Sequence, residues 1–97
     1  MTKEEMIQKA IEIVTTGERN LSYGKPENNF QRIANLWNGY FSSRKEGEIQ
    51  PHEVALLMIL MKIARLINSP THEDSIVDIV GYTACYADLV SEKKTEN

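Results

Sequence analysis

Cysteine, proline and long apolar runs are all scarce in this chain of 97 residues. Its one cysteine, Cys85, excludes an intramolecular disulfide and a zinc site built from several thiolates. The longest apolar stretch, Val54 to Met61, has eight residues. A bilayer-spanning helix needs roughly 20 apolar residues. The sequence therefore predicts neither a disulfide framework nor a transmembrane segment.

An excess of positive charge is also lacking, since 11 Lys and Arg face 14 Asp and Glu and the net charge is −3. Nucleic-acid binding normally requires a positive field, so we expect no nucleic-acid partner. The first ten residues, MTKEEMIQKA, carry acids where a signal peptide needs a basic flank followed by an apolar run. We therefore expect a cytoplasmic protein without membrane attachment.

The length fits one domain over residues 1–97. A chain of this size buries only about 60–65% of its unfolded surface, so its stability gains from a partner that covers more of it. Oligomerisation is therefore plausible from the length alone.

Apolar residues recur at helical spacing in four segments, and Gly, Asn and Pro stand between them. The predicted helices cover about 3–16, 29–43, 51–67 and 71–92, and the tail 92–97 is expected to be disordered. Strand-type alternation is absent. The pattern predicts an all-α, four-helix, bundle-like domain.

The third predicted helix is apolar almost all round from Val54 to Ile67. Such a helix lies at the centre of a fold, covered on several sides by its own chain or by a second subunit. We therefore expect a homodimer in which a second copy buries part of this helix.

The fourth predicted helix divides on a helical wheel into two faces. We expect its core face to hold Ile76, Ile79, Val80, Thr83, Ala87 and Val90, with Asp74, Asp78, Tyr82, Cys85 and Leu89 opposite. Thr71 and Asp74 have the spacing of a capping box, which places the start of the helix near Thr71.

Asp74 and Asp78 are separated by one helical turn, which stacks two carboxylates on one face. Three interpretations are open. The two carboxylates bind a hard cation such as Mg²⁺, they are surface or capping acids, or they form ion pairs.

Lys62 and Arg65 interrupt the apolar third helix on one face, where unpaired charges are costly. They either form ion pairs with the fourth helix or clamp a phosphate group. Tyr23 lies in a polar loop beside Gly24 and either contacts a ligand or anchors the loop. The phosphate-binding candidates are thus Lys62, Arg65 and Tyr23.

Other conspicuous side chains have simpler interpretations. Trp37, Tyr40 and Phe41 follow the apolar stripe of the second helix and are predicted to be core residues. His52 and His72 flank helix starts and are predicted to be surface residues near caps.

Three strings, SYGKPENNFQRIANLW, EVALLMILMKIARL and HEDSIVDIVGYTA, resemble a small all-α family found in phages and prophages. The resemblance covers about residues 18–87. That family has no assigned activity, so the resemblance implies an all-α phage protein of unassigned function.

A more distant similarity extends to the MazG-like all-α nucleotide pyrophosphatases, in which a K-x-x-R-L helix and a D-x-x-x-D helix recur. By that resemblance Asp74 and Asp78 match the acidic motif that holds Mg²⁺, and Lys62 and Arg65 match a phosphate-facing pair. MazG-like enzymes also carry an earlier E-x-x-E motif, and this chain has no counterpart to it.

Two functions follow from these observations. The first is binding or hydrolysis of a nucleoside phosphate with Mg²⁺. The second is a non-catalytic dimeric helical module that binds a phage or host protein.

Overall fold

Residues 1–16 and 26–95 are described by a computed structural model, and within these ranges the chain is helical with no strand. The helices are α1 (Lys3–Thr16), α2 (Pro26–Ser43), α3 (Pro51–Asn68) and α4 (Glu73–Thr95). The all-α, bundle-like prediction is confirmed. None of these described helices is both long enough and apolar enough to cross a membrane.

The boundaries depart from the predicted ones at three ends. α2 begins at Pro26, three residues earlier than predicted, because proline is favoured in a first helical turn. α4 begins at Glu73, so that His72 and not Thr71 precedes it. The capping box predicted at Thr71 is therefore wrong. α4 also continues to Thr95, beyond the predicted end at 92.

α3 is the central helix of the described structure. Among residues 1–16 and 26–95 it contacts both α2 and α4, whereas α2 and α4 do not contact each other and α1 contacts none of the three. The radius of gyration is 16.6 Å, compared with about 12.5 Å for a compact domain of this length. The helices α2, α3 and α4 thus form one open layer rather than a closed core.

α2 packs against α3 through its Trp37 and Tyr40 side. The Trp37 indole N–H donates to the Leu57 carbonyl at 2.9 Å, and the Tyr40 hydroxyl reaches Glu53. Phe41, predicted to be core, is 43% exposed, and Phe30 at the start of the predicted stripe is 66% exposed. The face of α2 that packs against α3 is therefore rotated from the predicted apolar stripe towards the polar side of α2, where α3 offers hydrogen-bonding partners.

The face of α4 that contacts α3 lies between the two faces drawn from the sequence. Ser75 is fully buried, and Asp78, Tyr82 and Leu89, predicted to lie opposite the core, are partly buried. Most of the predicted core face is exposed instead, namely Ile76, Val80, Thr83 and Ala87. That prediction is wrong, because α4 has apolar residues on both sides and α3 covers the side that can also pair with Lys62.

Candidate functional site

Glu53 ties the turn between α2 and α3 together. Its carboxylate is in the first turn of α3 and forms an ion pair with Arg44, which follows the last residue of α2. Arg44 Nη2 donates to Glu53 Oε1 at 2.9 Å, and Arg44 Nε donates to Oε2, so the pair is bidentate. Only 7% of Glu53 is exposed. Bidentate geometry and burial make this the strongest charged contact in the described structure.

Four further contacts saturate this pair, and one of them is the bond that Arg44 Nη2 donates to the Glu48 carbonyl at 3.2 Å. The Tyr40 hydroxyl donates to Glu53 Oε2 at 2.6 Å, and the Gln50 backbone N–H donates to Oε1 at 3.0 Å. Arg44 Nη1 donates to the carbonyl of Gly47 at 3.2 Å. Gly47 has φ 133°, a conformation that favours glycine. With its acceptor positions occupied, Glu53 serves the fold and is closed to a ligand.

The same contacts shift the proton affinities of the group. Hydrogen bonds from Arg44 and Tyr40, followed by the Gln50 N–H, lower the pKa of Glu53 from 4.5 to about 2. Burial and the bond to Glu53 raise the pKa of Tyr40. The hydrogen bond to Glu53 raises the pKa of Arg44. The ionised carboxylate is therefore the form that the native fold favours.

We predict that acid destabilises the protein through Glu53. Because the folded pKa of about 2 lies below the unfolded 4.5, this contribution to stability is complete above about pH 4.5 and is lost as the pH falls towards 2. Urea unfolding at pH 7, 5, 4 and 3 measures it. A wild-type profile as flat between pH 5 and 3 as that of Glu53→Gln would contradict the prediction.

At the other end of α3, Lys62 is paired with α4. Lys62 Nζ lies 2.8 Å from Asp78 Oδ2, and the side chains are 11% and 44% exposed. The cation is thus buried between the helices while its carboxylate partner reaches solvent. This is the ion pair considered for these two residues from the sequence.

Two polar residues of α2 lie at the same level as this pair. The contacts of Trp37 with Leu57 and of Tyr40 with Glu53 fix the antiparallel register of α2 and α3. Asn29 and Arg32 lie one to two turns before Trp37 on α2. The antiparallel register therefore places them at the level of residues 62–65 along α3. Glu53 and Lys62 lie about 180° apart around α3, so Asn29 and Arg32 share a level along the helix with Lys62 and not one surface. We call the residues at this level, Asn29, Arg32, Lys62, Arg65 and Asp78, the cation cluster.

The cation cluster contains polar atoms whose hydrogen bonds are not satisfied. Asn29 is 7% exposed, and its Oδ1 is buried without a hydrogen-bond partner. Arg32 Nη1 is also buried without a hydrogen-bond partner, and Arg32 has no ion pair in the described part of the chain. Buried polar groups are nearly always satisfied in native proteins, so these atoms require a partner such as water, an ion or a ligand.

The remaining sequence candidates are placed as follows. Asp74 is exposed in the first turn of α4, one turn from Asp78. Residues 1–16 and 26–95 contain no group of three or more side chains placed to hold a metal ion. Tyr23 lies outside the described residues. Magnesium binding by Asp74 and Asp78 stays a prediction.

The two histidines are partly buried and contact α4 residues. The His52 ring meets the Tyr86 ring edge-on, with centroids 6.0 Å apart. His72 Nδ1 lies 2.7 Å from Ser75 Oγ, at the start of α4. The prediction of a cap position is right for His72, whereas His52 contributes to the contact between α3 and α4.

Sequence reasoning missed Arg44, Glu53 and Asn29. The spacing of Gln50 and Glu53, three residues apart before an apolar run, is a capping signal that points to Glu53. Arg44 has no such signal, because it meets Glu53 across a turn. Asn29 has no such signal either, because its burial depends on how α2 docks.

Comparison with known proteins gives a consistent family. Residues 5–90 match a family described as "Domain of unknown function (DUF6378)". The chain is 47% identical over 76 residues to the Gene 55 protein of Mycobacterium phage D29, covering 78% of this chain and 48% of that protein. It is 42% identical over 71 residues to the Gene 55 protein of Mycobacterium phage L5, covering 73% and 44%.

The chain thus spans about half the length of these two relatives. No solved structure gives a significant match. The matches confirm the phage family of unassigned function that the three sequence strings resemble.

Proposed function

Because the chain belongs to the DUF6378 family of unknown function, we propose its function from the cation cluster, as binding of a nucleoside phosphate. The observation that carries the proposal is the buried, unsatisfied Nη1 of Arg32, a cation without an ion pair among the described residues. A phosphate group accepts several hydrogen bonds and carries the negative charge that this place lacks.

The charge balance of the cluster supports an anionic ligand. Arg32 has no carboxylate partner in the described part of the chain, and Lys62 already pairs with the one carboxylate of the cluster, Asp78. Arginine offers a planar fork that matches phosphate oxygens, and lysine adds a compact charge.

Asn29 supports a ligand that carries more than phosphate. Its unsatisfied Oδ1 is an acceptor and does not bind a phosphate oxygen. A ribose hydroxyl or a base amino group donates hydrogen bonds, and a nucleotide combines these donors with phosphate. A free phosphate ion satisfies only the cationic half of the cluster.

Hydrolysis of the bound nucleotide is the less supported part of a MazG-like activity. Lys62 lies 2.8 Å from Asp78, and its positive charge opposes a divalent cation there. Glu53 is the acid that α3 itself carries, and it is paired with Arg44. It also lies nine residues before Lys62, which is about 13 Å along the helix. The proposal therefore rests on binding, and Mg²⁺ would come with the nucleotide, which supplies phosphate oxygens as ligands.

A thermal-shift screen of nucleoside mono-, di- and triphosphates, with and without Mg²⁺, tests the proposal. A ligand at a hundred times its Kd adds about 2.7 kcal/mol of stability, which raises the Tm of a domain this small by several degrees. Sodium phosphate alone should raise it less. If no nucleotide shifts the Tm and none binds in calorimetry, the proposal is wrong.

Arg32→Gln is expected to weaken the best nucleotide by about ten-fold or more, because it removes a charge-assisted hydrogen bond. Lys45→Gln is the matched control, since Lys45 is exposed in the turn at the far end of α3. Calorimetric titration of the two variants measures both constants. Equal affinities would contradict the placement of the site.

The second candidate, a non-catalytic module that binds another protein, is favoured by one observation. Large apolar side chains are exposed along α1 and along the outer side of α4. The two functions are separable, because Arg32→Gln affects only the first.

A further inference from the structure

Two helices carry apolar stripes that nothing in the described chain covers. On α1 the stripe comprises Met6, Ile7, Ala10, Ile11 and Val14, with Ile7 61% and Val14 72% exposed. On α4 it comprises Ile76, Val77, Val80, Ala84 and Ala87, with Val77 60% and Val80 67% exposed. We call them the α1 stripe and the α4 stripe.

The total exposed area shows how much covering the chain lacks. The chain exposes 7336 Å², compared with about 5,650 Å² for a folded monomer of 11.1 kDa. The excess is about 1,700 Å² for each chain. Obligate homodimers bury about 1,000–2,500 Å² on each subunit. A second copy of the chain thus fits the excess.

The buried core leads to the same conclusion. Ala55, Leu57 and Ala64 are the apolar residues that are buried in the described chain, and all three lie on α3. Three side chains of this size contribute too little to offset the conformational entropy of four helices. The two exposed stripes are the largest supply of apolar surface that association can bury.

We propose that two copies of the chain associate with the α1 stripe of each on the α4 stripe of the other. In a two-fold symmetric dimer this contact occurs twice, because each chain contributes its α1 stripe to one contact and its α4 stripe to the other. The lengths agree, since Met6 to Val14 rises about 12 Å and Ile76 to Ala87 about 16 Å. This interface differs from the dimer contact that the sequence predicts on α3. It does not depend on nucleotide binding.

Light scattering of the wild type at micromolar concentration tests the association. The expected mass is about 22 kDa, twice the 11.1 kDa of one chain. Val80→Glu and Ile7→Lys should each give the mass of one chain, because each places a charge inside an apolar interface. Cys85→Glu, at an exposed position of α4 outside the stripe, should leave the dimer intact. A wild-type monomer, or dimeric Val80→Glu and Ile7→Lys, would overturn the proposal.

Mixing the two variants tests which helices meet. In an α1-on-α4 dimer, a mixture of Ile7→Lys and Val80→Glu forms one wild-type contact and one contact between opposite charges. The mixture should therefore regain the mass of two chains. A mixture that stays monomeric, although each variant alone is monomeric, would overturn the pairing of α1 with α4.

The melting temperature of the wild type keeps the test valid where a variant fails to fold. Folding coupled to dimer formation makes the Tm rise with protein concentration. We expect a rise of several degrees over a hundred-fold range of concentration. A constant Tm over that range would overturn the proposal.

Discussion

Glu53→Gln is expected to lower the Tm by about 10 °C or more, because it leaves the Arg44 guanidinium uncompensated between α2 and α3. The substitution keeps the shape of the side chain and removes its charge. It breaks the bidentate pair and weakens the bond that the Tyr40 hydroxyl donates. Thermal unfolding followed by circular dichroism at pH 7 measures the change.

Glu48→Gln is the matched control for this variant. Glu48 lies in the same turn with its side chain exposed, and only its backbone carbonyl accepts bonds from Arg44 and Gln50. The control should melt within a degree or two of the wild type. Similar losses in the two variants would mean that the turn is held by its backbone and not by the Glu53 carboxylate.

Asp78→Asn is expected to change stability and ligand affinity in opposite directions. It removes the partner of the buried Lys62. Because Asp78 is 44% exposed and water screens the pair, we expect a loss of about 1–2 kcal/mol rather than the full cost of a buried pair. The same substitution adds one positive charge to the cation cluster, which should tighten nucleotide binding about five-fold.

Asp74→Asn is the control, since Asp74 is exposed and contributes mainly to the first turn of α4. Its effect should be about 0.5 kcal/mol. Urea unfolding in EDTA and in Mg²⁺, together with calorimetry, gives all the quantities. If Mg²⁺ stabilises the wild type and neither variant, the carboxylates bind metal and the phosphate site needs revision. Weaker nucleotide binding by Asp78→Asn would also contradict it.

The sequence predicts the number, type and approximate bounds of the helices because each has a clear apolar period and a Gly, Asn or Pro beside it. It does not predict which side of α4 packs. Val77 and Val80 on one side and Tyr82 and Tyr86 on the other are both acceptable to a core. The choice depends on the polar positions of α3, His52 and Lys62, which favour tyrosine rings and a carboxylate.

The sequence predicts only part of the cation cluster. Lys62 and Arg65 stand out because they are charges in an otherwise apolar helix. Asn29 and Arg32 do not stand out, since both read as ordinary polar residues near a helix start. Their burial comes from the register between α2 and α3, which Trp37 and Tyr40 set several turns away.

The absence of direct contact between α2 and α4 has a thermodynamic consequence. Each outer helix is anchored to α3 alone, so either could detach from it while the other stays docked, and the two detachments would be independent events. Residues of all three helices share a level at the cation cluster and again near the start of α3, where Tyr40 contacts Glu53 and His52 contacts Tyr86. A ligand or partner that contacted both outer helices at either level would convert two separate local unfolding steps into one cooperative transition.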